Sequence, residues 1–166
     1  MACALIAIGS NLGDRADHLR AARREIDALP DTRVAAASAV YETAPVGPGD
    51  QGPYLNAALR VETALPPREL LERLLAIEEG RGRDREGERP WGPRTLDLDV
   101  LVYEDRLMEG PALVLPHPRM HERAFVLRPV CDVAAEVAHP RRGRSMAELL
   151  ADVDEAGVER LRSFEW

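Results

Sequence analysis

Hydrophobic and polar positions alternate in short blocks along the chain, and these blocks predict alternating strands and helices. Ala2–Ile8 is an apolar run that ends at Gly9, which is typical of a buried strand. Apolar residues recur at helical spacing after Asp14, a residue type that caps helices, so the first helix follows it. Val34–Glu42 and Tyr54–Leu65 are the next two predicted strands.

The second half of the chain continues this pattern and completes a recognisable order of elements. The remaining predictions are a helix after Pro66-Pro67, a strand at Asp97–Tyr103, a short strand at Leu113–Leu115, a helix at Ala124–Ala135, a helix capped by Ser145 that runs to Ala151, and a tail or edge strand at Val158–Trp166. Strand–helix–strand–strand–helix–strand is the split βαβ arrangement. We therefore predict a single α+β domain over residues 1–166, with a ferredoxin-like sheet and flanking helices.

Composition narrows the classes of function. The chain has 166 residues, is 45% hydrophobic and 31% charged, and carries a net charge of −7. An acidic protein of this size, without an apolar run of membrane-spanning length or a signal peptide, is predicted to be cytoplasmic and to bind neither nucleic acid nor membranes. Every cationic side chain is arginine. The absence of lysine excludes a P-loop and a lysine Schiff base.

Two carboxylates on one predicted strand are the strongest chemical signal. Asp97 and Asp99 alternate with Leu98 and Val100, so the two aspartates share one face and the apolar side chains share the other. Their Cα atoms would lie about 6.5–7 Å apart. Aspartate is unfavourable in strands, and a divalent cation would offset the repulsion between two of them. The pair suits magnesium that carries a polyphosphate.

Arginines crowd the segment that leads to this strand. Arg81, Arg83, Arg85 and Arg89 precede it and Arg94 lies directly before it, interleaved with acidic residues. Composition alone favours a solvated loop. The position beside the carboxylates favours phosphate binding instead, because guanidinium groups match phosphate oxygens, and a charged, glycine-containing loop is typical of a closing lid. The preceding Glu78 is an exposed helix residue or a functional one, with equal support.

Aromatic and histidine residues give weaker signals. Tyr54 and Asn56 share a strand face, and with Phe125 they could hold a flat heterocycle, although local sequence alone favours core packing for Phe125. His117 and His121 have the spacing of helical metal ligands, but the prolines that flank His117 argue against a regular helix, and His117 could donate to a phosphate. The two other histidines, at 18 and 139, are predicted to face solvent.

The motif around the carboxylates resembles a known family. Arg89–Leu101, with the sequence RPWGPRTLDLDVL, is similar to the signature of 6-hydroxymethyl-7,8-dihydropterin pyrophosphokinase, an enzyme of folate biosynthesis. Five further segments match in order: 7–12 resembles the opening strand and turn, 41–47 and 53–57 the pterin side, 76–85 the nucleotide side, and 115–126 the late loop and helix. The resemblance covers nearly the whole chain.

The resemblance implies a reaction and a site. It implies transfer of diphosphate from ATP to the hydroxymethyl oxygen of the pterin, with AMP released and two Mg²⁺ ions held by Asp97 and Asp99. It implies catalytic roles for Arg83, Arg94 and both aspartates. The implied ATP-binding residues are Glu78, Arg83, Arg85, Trp91, Arg94, His117 and Arg123. The implied pterin-binding residues are Thr43, Ala44, Val46, Tyr54, Asn56 and Phe125.

Two other functions remain open from the residues alone. The same carboxylates could serve a two-metal phosphoesterase, which would release phosphate without an acceptor. A ferredoxin-like module could instead bind nucleic acid through its arginine loop, although the acidic composition argues against this. The resemblance favours the pyrophosphokinase, acting on ATP and the pterin as a monomer.

Overall fold

A computed structural model describes residues 1–44, 52–83 and 95–166. The strands are β1 (Ala2–Ser10), β2 (Thr32–Ala37), β3 (Tyr41–Thr43), β4 (Tyr54–Thr63), β5 (Asp97–Tyr103), β6 (Met108–Glu109), β7 (Val114–Leu115) and β8 (Val158–Arg160). The helices are α1 (Arg15–Asp27), α2 (Pro67–Gly80), α3 (Ala124–Ala134) and α4 (Met146–Ala151), with a 3₁₀ turn at Met120–Glu122. Over these described ranges, no helix is long and apolar enough to cross a membrane.

Six strands form the main sheet, in the order β5-β1-β4-β3-β8, with β2 also paired to β4. Every pairing is antiparallel. If β2 and β3 are counted as one interrupted strand, the split βαβ unit has four strands. Numbered along the chain, they lie side by side in the order 4-1-3-2. The predicted ferredoxin-like α+β sheet is therefore confirmed.

Local sequence explains where the helices begin. The Asp14 side chain accepts a hydrogen bond from the backbone N of Asp17 at 3.0 Å and caps α1. Pro67 stands in the first turn of α2, where its missing N–H costs nothing. Ser145 and Glu148 form a reciprocal capping box at the start of α4.

The two faces of the sheet have different partners. Residues such as Ile6, Ile8 and Leu98 point to the face that packs against α1 and α2, where Leu19 and Leu74 are fully buried. Leu5, Ala58 and Leu101 point to the other face, which α3 and α4 cover. Asp97 and Asp99, the predicted metal ligands, alternate with Leu98 along β5. Their side chains therefore point to the face that α3 covers.

The predicted second strand is wrong in one respect, because it is interrupted. Ser38 leaves the regular ladder: its Oγ accepts from the backbone N of Ala58 at 2.8 Å, while its own backbone N donates to the Ala58 carbonyl at 2.9 Å. The register between β2 and β4 also shifts between Val34 and Ala36. The break separates β2 from β3. The last segment, predicted as a tail or an edge strand, forms edge strand β8 along β3.

Candidate active site

A single row of residues across three strands forms the floor of the site. Asp97 on β5 pairs with Gly9 on β1, and Gly9 pairs with Asn56 on β4. Directly opposed residues share one face of a sheet, so the Asp97 carboxylate and the Asn56 amide stand on the same side. A Cβ at Gly9 would lie 3.3 Å from Asn56 Oδ1 and 3.7 Å from Tyr54 Cδ1. Glycine therefore leaves the floor open between the two polar side chains.

One cavity stands above this floor, and we call it the carboxylate cleft. Both aspartates line it, together with the predicted heterocycle residues, the predicted phosphate donors and apolar residues of β1, β5 and α3. The predicted residues in its wall are Thr43, Ala44, Tyr54, Asn56, Asp97, Asp99, His117, Arg123 and Phe125. The structure thus brings together side chains from five separate segments. Their roles in binding and catalysis stay predictions.

Asp97 is already paired with a guanidinium. Nη1 of Arg83 lies 2.8 Å from Asp97 Oδ1, 2.6 Å from Glu78 Oε2 and 3.2 Å from the Leu96 carbonyl oxygen. The Arg83 side chain is 2% exposed, whereas the Asp97 side chain keeps 24% exposure toward the cleft. Arg83, predicted from the resemblance to bind phosphate, is here a buried partner of two carboxylates.

Glu78 is a buried structural centre of this network and not an exposed helix residue. It is 1% exposed, and its Oε2 accepts from Arg83 and, at 2.7 Å, from the backbone N of Leu98. One carboxylate oxygen thus connects the end of α2 to the strand that carries both aspartates. Because Leu98 lies between Asp97 and Asp99, this bond fixes the backbone from which the pair projects.

His117 has a defined protonation state. Its backbone N donates to the Leu101 carbonyl at 2.8 Å, and its Nδ1 accepts from the backbone N of Arg119 at 3.2 Å. An accepting Nδ1 assigns the proton of the neutral ring to Nε2. Burial lowers the pKa of His117, with Arg123 acting in the same direction and Asp97 opposing it. At neutral pH the ring is therefore a neutral Nε2–H donor.

Arg123 and Phe125 form the α3 side of the cleft. The Arg123 guanidinium lies 5.6 Å from the centre of the Phe125 ring, within the range of cation–π contact. Burial, followed by Arg119, lowers the pKa of Arg123, and Asp99 and Asp97 counteract it. Arg123 therefore lines the same cleft as both carboxylates.

Asn56 is oriented by a neighbouring strand. Its Nδ2 donates to Thr43 Oγ1 at 2.8 Å, and both residues are at most 9% exposed. One amide hydrogen is therefore used by Thr43, which leaves the carbonyl end of the amide beside Gly9. Tyr54, on the same face of β4, is half-buried in the cleft wall.

Some predictions fall where the structure gives no description, and some lining residues were not predicted. Val46, Arg85, Trp91 and Arg94 lie outside the described residues. Ala7, Ile8, Leu101 and Val126 line the cleft although the sequence analysis did not single them out. The period-2 alternation that placed Asp97 and Asp99 on one face extends to Leu101 and could have found it.

The residues present fit magnesium bound together with a substrate. Within residues 1–44, 52–83 and 95–166, no group of three or more His, Cys, Asp and Glu side chains could hold a metal ion. Magnesium, however, is commonly bound by one or two carboxylates plus phosphate oxygens and water. Asp97 and Asp99, both partly exposed and both lining one cavity, supply that number of ligands.

The ferredoxin-like sheet thus places two carboxylates, an arginine and two aromatic side chains in one cleft. The family model described as 7,8-dihydro-6-hydroxymethylpterin-pyrophosphokinase (HPPK) matches residues 5–135. The chain belongs to this family, so the family prediction from the sequence is confirmed, and with it the pyrophosphokinase class.

Individual relatives agree with this assignment. The chain is 45% identical over 161 residues to a protein of Methylorubrum extorquens. The match covers 97% of this chain and 99% of the relative. It is 43% identical over 156 residues to a protein of Pseudomonas aeruginosa, with 94% of each chain covered. Both relatives are named 2-amino-4-hydroxy-6-hydroxymethyldihydropteridine pyrophosphokinase.

Solved structures support the fold alone. The wild-type HPPK-DHPS of Plasmodium falciparum, crystallised with pteroate, matches with a TM-score of 0.71 at 12% sequence identity. The match covers 90% of this chain but 44% of the Plasmodium chain. The chain therefore spans less than half of that longer protein.

Proposed function

We propose that this protein transfers the terminal diphosphate of ATP to the hydroxymethyl oxygen of 6-hydroxymethyl-7,8-dihydropterin, giving the pterin diphosphate and AMP, and that the carboxylate cleft is where this happens. Family membership and the names of its relatives support the reaction. The observation that carries the location is the placement of Asp97 and Asp99 in the same cavity as Tyr54, Asn56 and Phe125.

The aromatic end of the cleft binds the pterin. Tyr54 and Phe125 both line the cavity, and aromatic rings can stack on a flat heterocycle. Asn56, held by Thr43, offers an amide to the heterocycle edge, and an amide both donates and accepts. Ala44 lies at the rim, and Val46 belongs to this group by resemblance. This end positions the hydroxymethyl group toward the aspartates.

The other end binds the triphosphate. Arg123 lines the same cleft as the carboxylates, and its guanidinium provides a paired set of donors for phosphate oxygens. The neutral ring of His117 carries its proton on Nε2 and can therefore donate a hydrogen bond to a phosphate oxygen without first being protonated. Arg85, Trp91 and Arg94 are assigned to ATP by resemblance, and Arg94 also to catalysis.

Asp97 and Asp99 hold two Mg²⁺ ions in this proposal. When bound, the ions neutralise the polyphosphate charge and lower the pKa of the acceptor hydroxyl. Arg83 and Glu78 position the aspartates before any substrate arrives: the Arg83 guanidinium offsets part of the Asp97 charge, and Glu78 holds both Arg83 and the Leu98 backbone. Phosphoryl transfer requires positioning and charge stabilisation more than covalent chemistry from protein.

We also propose that the protein acts as a monomer in the cytoplasm. The residues assigned to both substrates come from one chain, which supports activity without a partner subunit. Cys3 and Cys131 are free thiols, as is usual in a reducing compartment, and the reaction consumes ATP. Size-exclusion chromatography with light scattering should give a mass near 18.3 kDa; a dimer mass would contradict the monomer.

An AMP-release assay tests the reaction. The purified protein is incubated with ATP, Mg²⁺ and 6-hydroxymethyl-7,8-dihydropterin, and AMP is measured with and without the pterin. We expect AMP to form only with the pterin present, in equal amount to the pterin diphosphate. Inorganic phosphate released from ATP without an acceptor would identify a phosphoesterase and overturn the proposal.

A further inference from the structure

A second cavity lies beside His117 and is lined by neither Asp97 nor Asp99, and we call it the basic cavity. Its volume is about 580 Å³, and the basic residues that line it are His117, His121, His139, Arg141, Arg142 and Arg144. The carboxylate cleft and the basic cavity share His117. The proposed function uses none of the other five residues.

A tight turn over residues 139–144 fixes the His139 ring. The His139 backbone N donates to the Arg144 carbonyl at 2.8 Å, and Gly143 N donates back to the His139 carbonyl at 2.9 Å. His139 Nδ1 accepts from the backbone N of Arg141 at 3.2 Å and of Arg142 at 3.3 Å. An accepting Nδ1 assigns the proton of the neutral ring to Nε2.

That Nε2–H group has no acceptor in the described part of the chain. His139 is 2% exposed, and its Nε2 is a buried atom without a hydrogen-bond partner there. Buried polar groups are almost always paired, so each exception requires an explanation. Here the exception is a donor, which an acceptor brought into the cavity would satisfy.

His121 carries a second unsatisfied donor by the same logic. Arg142 Nη2 lies 2.7 Å from His121 Nε2, and since arginine can only donate, Nε2 is the acceptor. The Glu122 carboxylate is farther from this nitrogen, at 3.5 Å. The proton of the neutral ring is then on Nδ1, which is buried and unpartnered among the described residues. The two rings lie 6.1 Å apart, edge to face at 82°.

Three arginines and one carboxylate, that of Glu109, line the cavity. Arg141 pairs with Glu109 at 2.6 Å, and Arg144 pairs with Asp152 and Glu148. Arg142 has no carboxylate within 4.0 Å in the described ranges. After burial, the nearby His121, Arg142 and Arg141 also lower the pKa of His139, as expected in a positive potential. A metal cation is disfavoured here, because this positive potential repels it and because His139 Nε2 and His121 Nδ1 carry protons.

We propose that the basic cavity is a second oxyanion site, which takes a phosphate-class ligand between Arg142 and the His121 and His139 rings. A tetrahedral oxyanion has acceptors for the guanidinium and for both ring N–H groups, and its negative charge would pair with Arg142. This site goes beyond the proposed function, because no residue assigned to ATP, other than the shared His117, belongs to it. The ligand is free phosphate or the phosphate of a nucleotide.

The test is a titration of the full-length protein with inorganic phosphate, without Mg²⁺ or nucleotide, followed by calorimetry and by the ring resonances of the four histidines. Arg142→Gln removes the guanidinium. His139→Asn keeps an acceptor for the turn amides but removes the Nε2–H. We expect each change to weaken phosphate binding at least tenfold, and wild-type resonances of His121 and His139 to shift together on saturation.

Matched controls locate the phosphate. Arg162→Gln makes the same charge change at an exposed residue outside both cavities, and Arg123→Gln makes it in the carboxylate cleft. We expect Arg162→Gln to retain phosphate affinity within about twofold, whereas Arg123→Gln reports any phosphate that binds in the carboxylate cleft. If His139→Asn fails to fold, the exposed Arg142 decides the question alone. No binding, binding unaffected by Arg142→Gln, or binding weakened by Arg123→Gln instead would overturn the proposal.

A competition arm identifies the source of the phosphate. AMP is titrated into the phosphate-saturated protein while the His121 and His139 resonances are followed. Displacement of phosphate by AMP, lost in Arg142→Gln, supports the phosphate of a nucleotide as the ligand. Simultaneous binding of AMP and phosphate supports free phosphate. Because AMP formation is not measured in either arm, failure of this site and failure of the proposed reaction are distinguishable.

Discussion

His117 and His139 each begin a His-Pro-Arg tripeptide and have the same local geometry. Their surroundings differ in charge. In each, the ring Nδ1 accepts from the backbone N of the arginine two residues later at 3.2 Å. Each ring is therefore a neutral Nε2–H donor with a pKa lowered first by burial. His117 lines the cleft that contains Asp97 and Asp99, whereas His139 lines a cavity with three arginines.

The difference shows how a local motif acquires a use. The turn decides which nitrogen carries the proton, and the tertiary neighbours decide what that proton can meet. Beside the carboxylates, we propose that the neutral donor binds a phosphate of the substrate. Among the arginines, the same donor has no acceptor in the described part of the chain, and we propose that an anion provides one. The predictions below separate these two environments, beginning with the largest effect.

Removal of divalent metal should abolish catalysis and leave the fold unchanged. With excess EDTA, we expect AMP formation to fall below detection and to return when Mg²⁺ is restored. Without nucleotide, the thermal unfolding midpoint should not change with EDTA, because Arg83 already compensates Asp97. A midpoint that drops on chelation would show a structural metal and contradict the arrangement. Phosphate binding in the basic cavity should be indifferent to EDTA.

The Glu78 network should carry much of the stability of the cleft. Glu78→Ala leaves the buried Arg83 without one of its carboxylate partners and Leu98 N without an acceptor, and breaking a buried ion pair costs about 3–5 kcal/mol. Urea denaturation measures this loss. Glu79→Ala, at the exposed neighbouring position, should stay within about 0.5 kcal/mol of wild type. Equal effects of the two substitutions would contradict the buried role of Glu78.

His117→Gln should weaken the use of ATP without affecting folding. A hydrogen bond to a charged group contributes about 1.5–3 kcal/mol, which corresponds to about 10–100-fold in kcat/KM for ATP. The KM for the pterin should remain within about twofold, because the residues assigned to the pterin lie on the other side of the aspartates. Steady-state kinetics with each substrate varied in turn gives both values. A change confined to the KM for the pterin would contradict the assignment of His117 to ATP.

Acidification should destabilise the protein modestly. The pKa values of His117 and His139 lie below the ordinary 6.5 in the folded state. Between 6.5 and those lower values the unfolded chain binds more protons, so the free energy of unfolding should fall as the pH drops below 6.5. Urea denaturation from pH 7.5 to 5.5 measures the slope, and His139→Asn should make it shallower. Stability that rises over this range would contradict the neutral rings.

Sequence reasoning worked well wherever a short pattern determines structure. The alternation of Asp97, Leu98, Asp99 and Val100 predicted β5 with its observed bounds, and Ser145 predicted the start of α4. The sheet order followed from the order of elements. The cleft residues were found because the resemblance supplied distant segments that no local pattern connects.

Long-range contacts account for what the sequence did not reveal. His139 was predicted to face solvent and this is wrong, because its burial depends on the turn at 139–144 closing over the ring. The break at Ser38 depends on Ala58, twenty residues away. The assignment of Arg83 to phosphate stays a prediction, and its contacts with Glu78 and Asp97 were not predicted from the sequence. Each outcome depends on a neighbour that periodicity cannot identify.

The central claim is that Asp97 and Asp99 are required for diphosphate transfer, and one set of variants tests it most directly. AMP formation with ATP, Mg²⁺ and the pterin is measured for Asp97→Ala, Asp99→Ala and the control Asp105→Ala, an exposed aspartate just after the same strand. Circular dichroism confirms folding of all three. We predict losses above about 1000-fold for the first two, equivalent to about 4 kcal/mol, and wild-type activity for the control. Activity retained in both Asp97→Ala and Asp99→Ala would contradict the account.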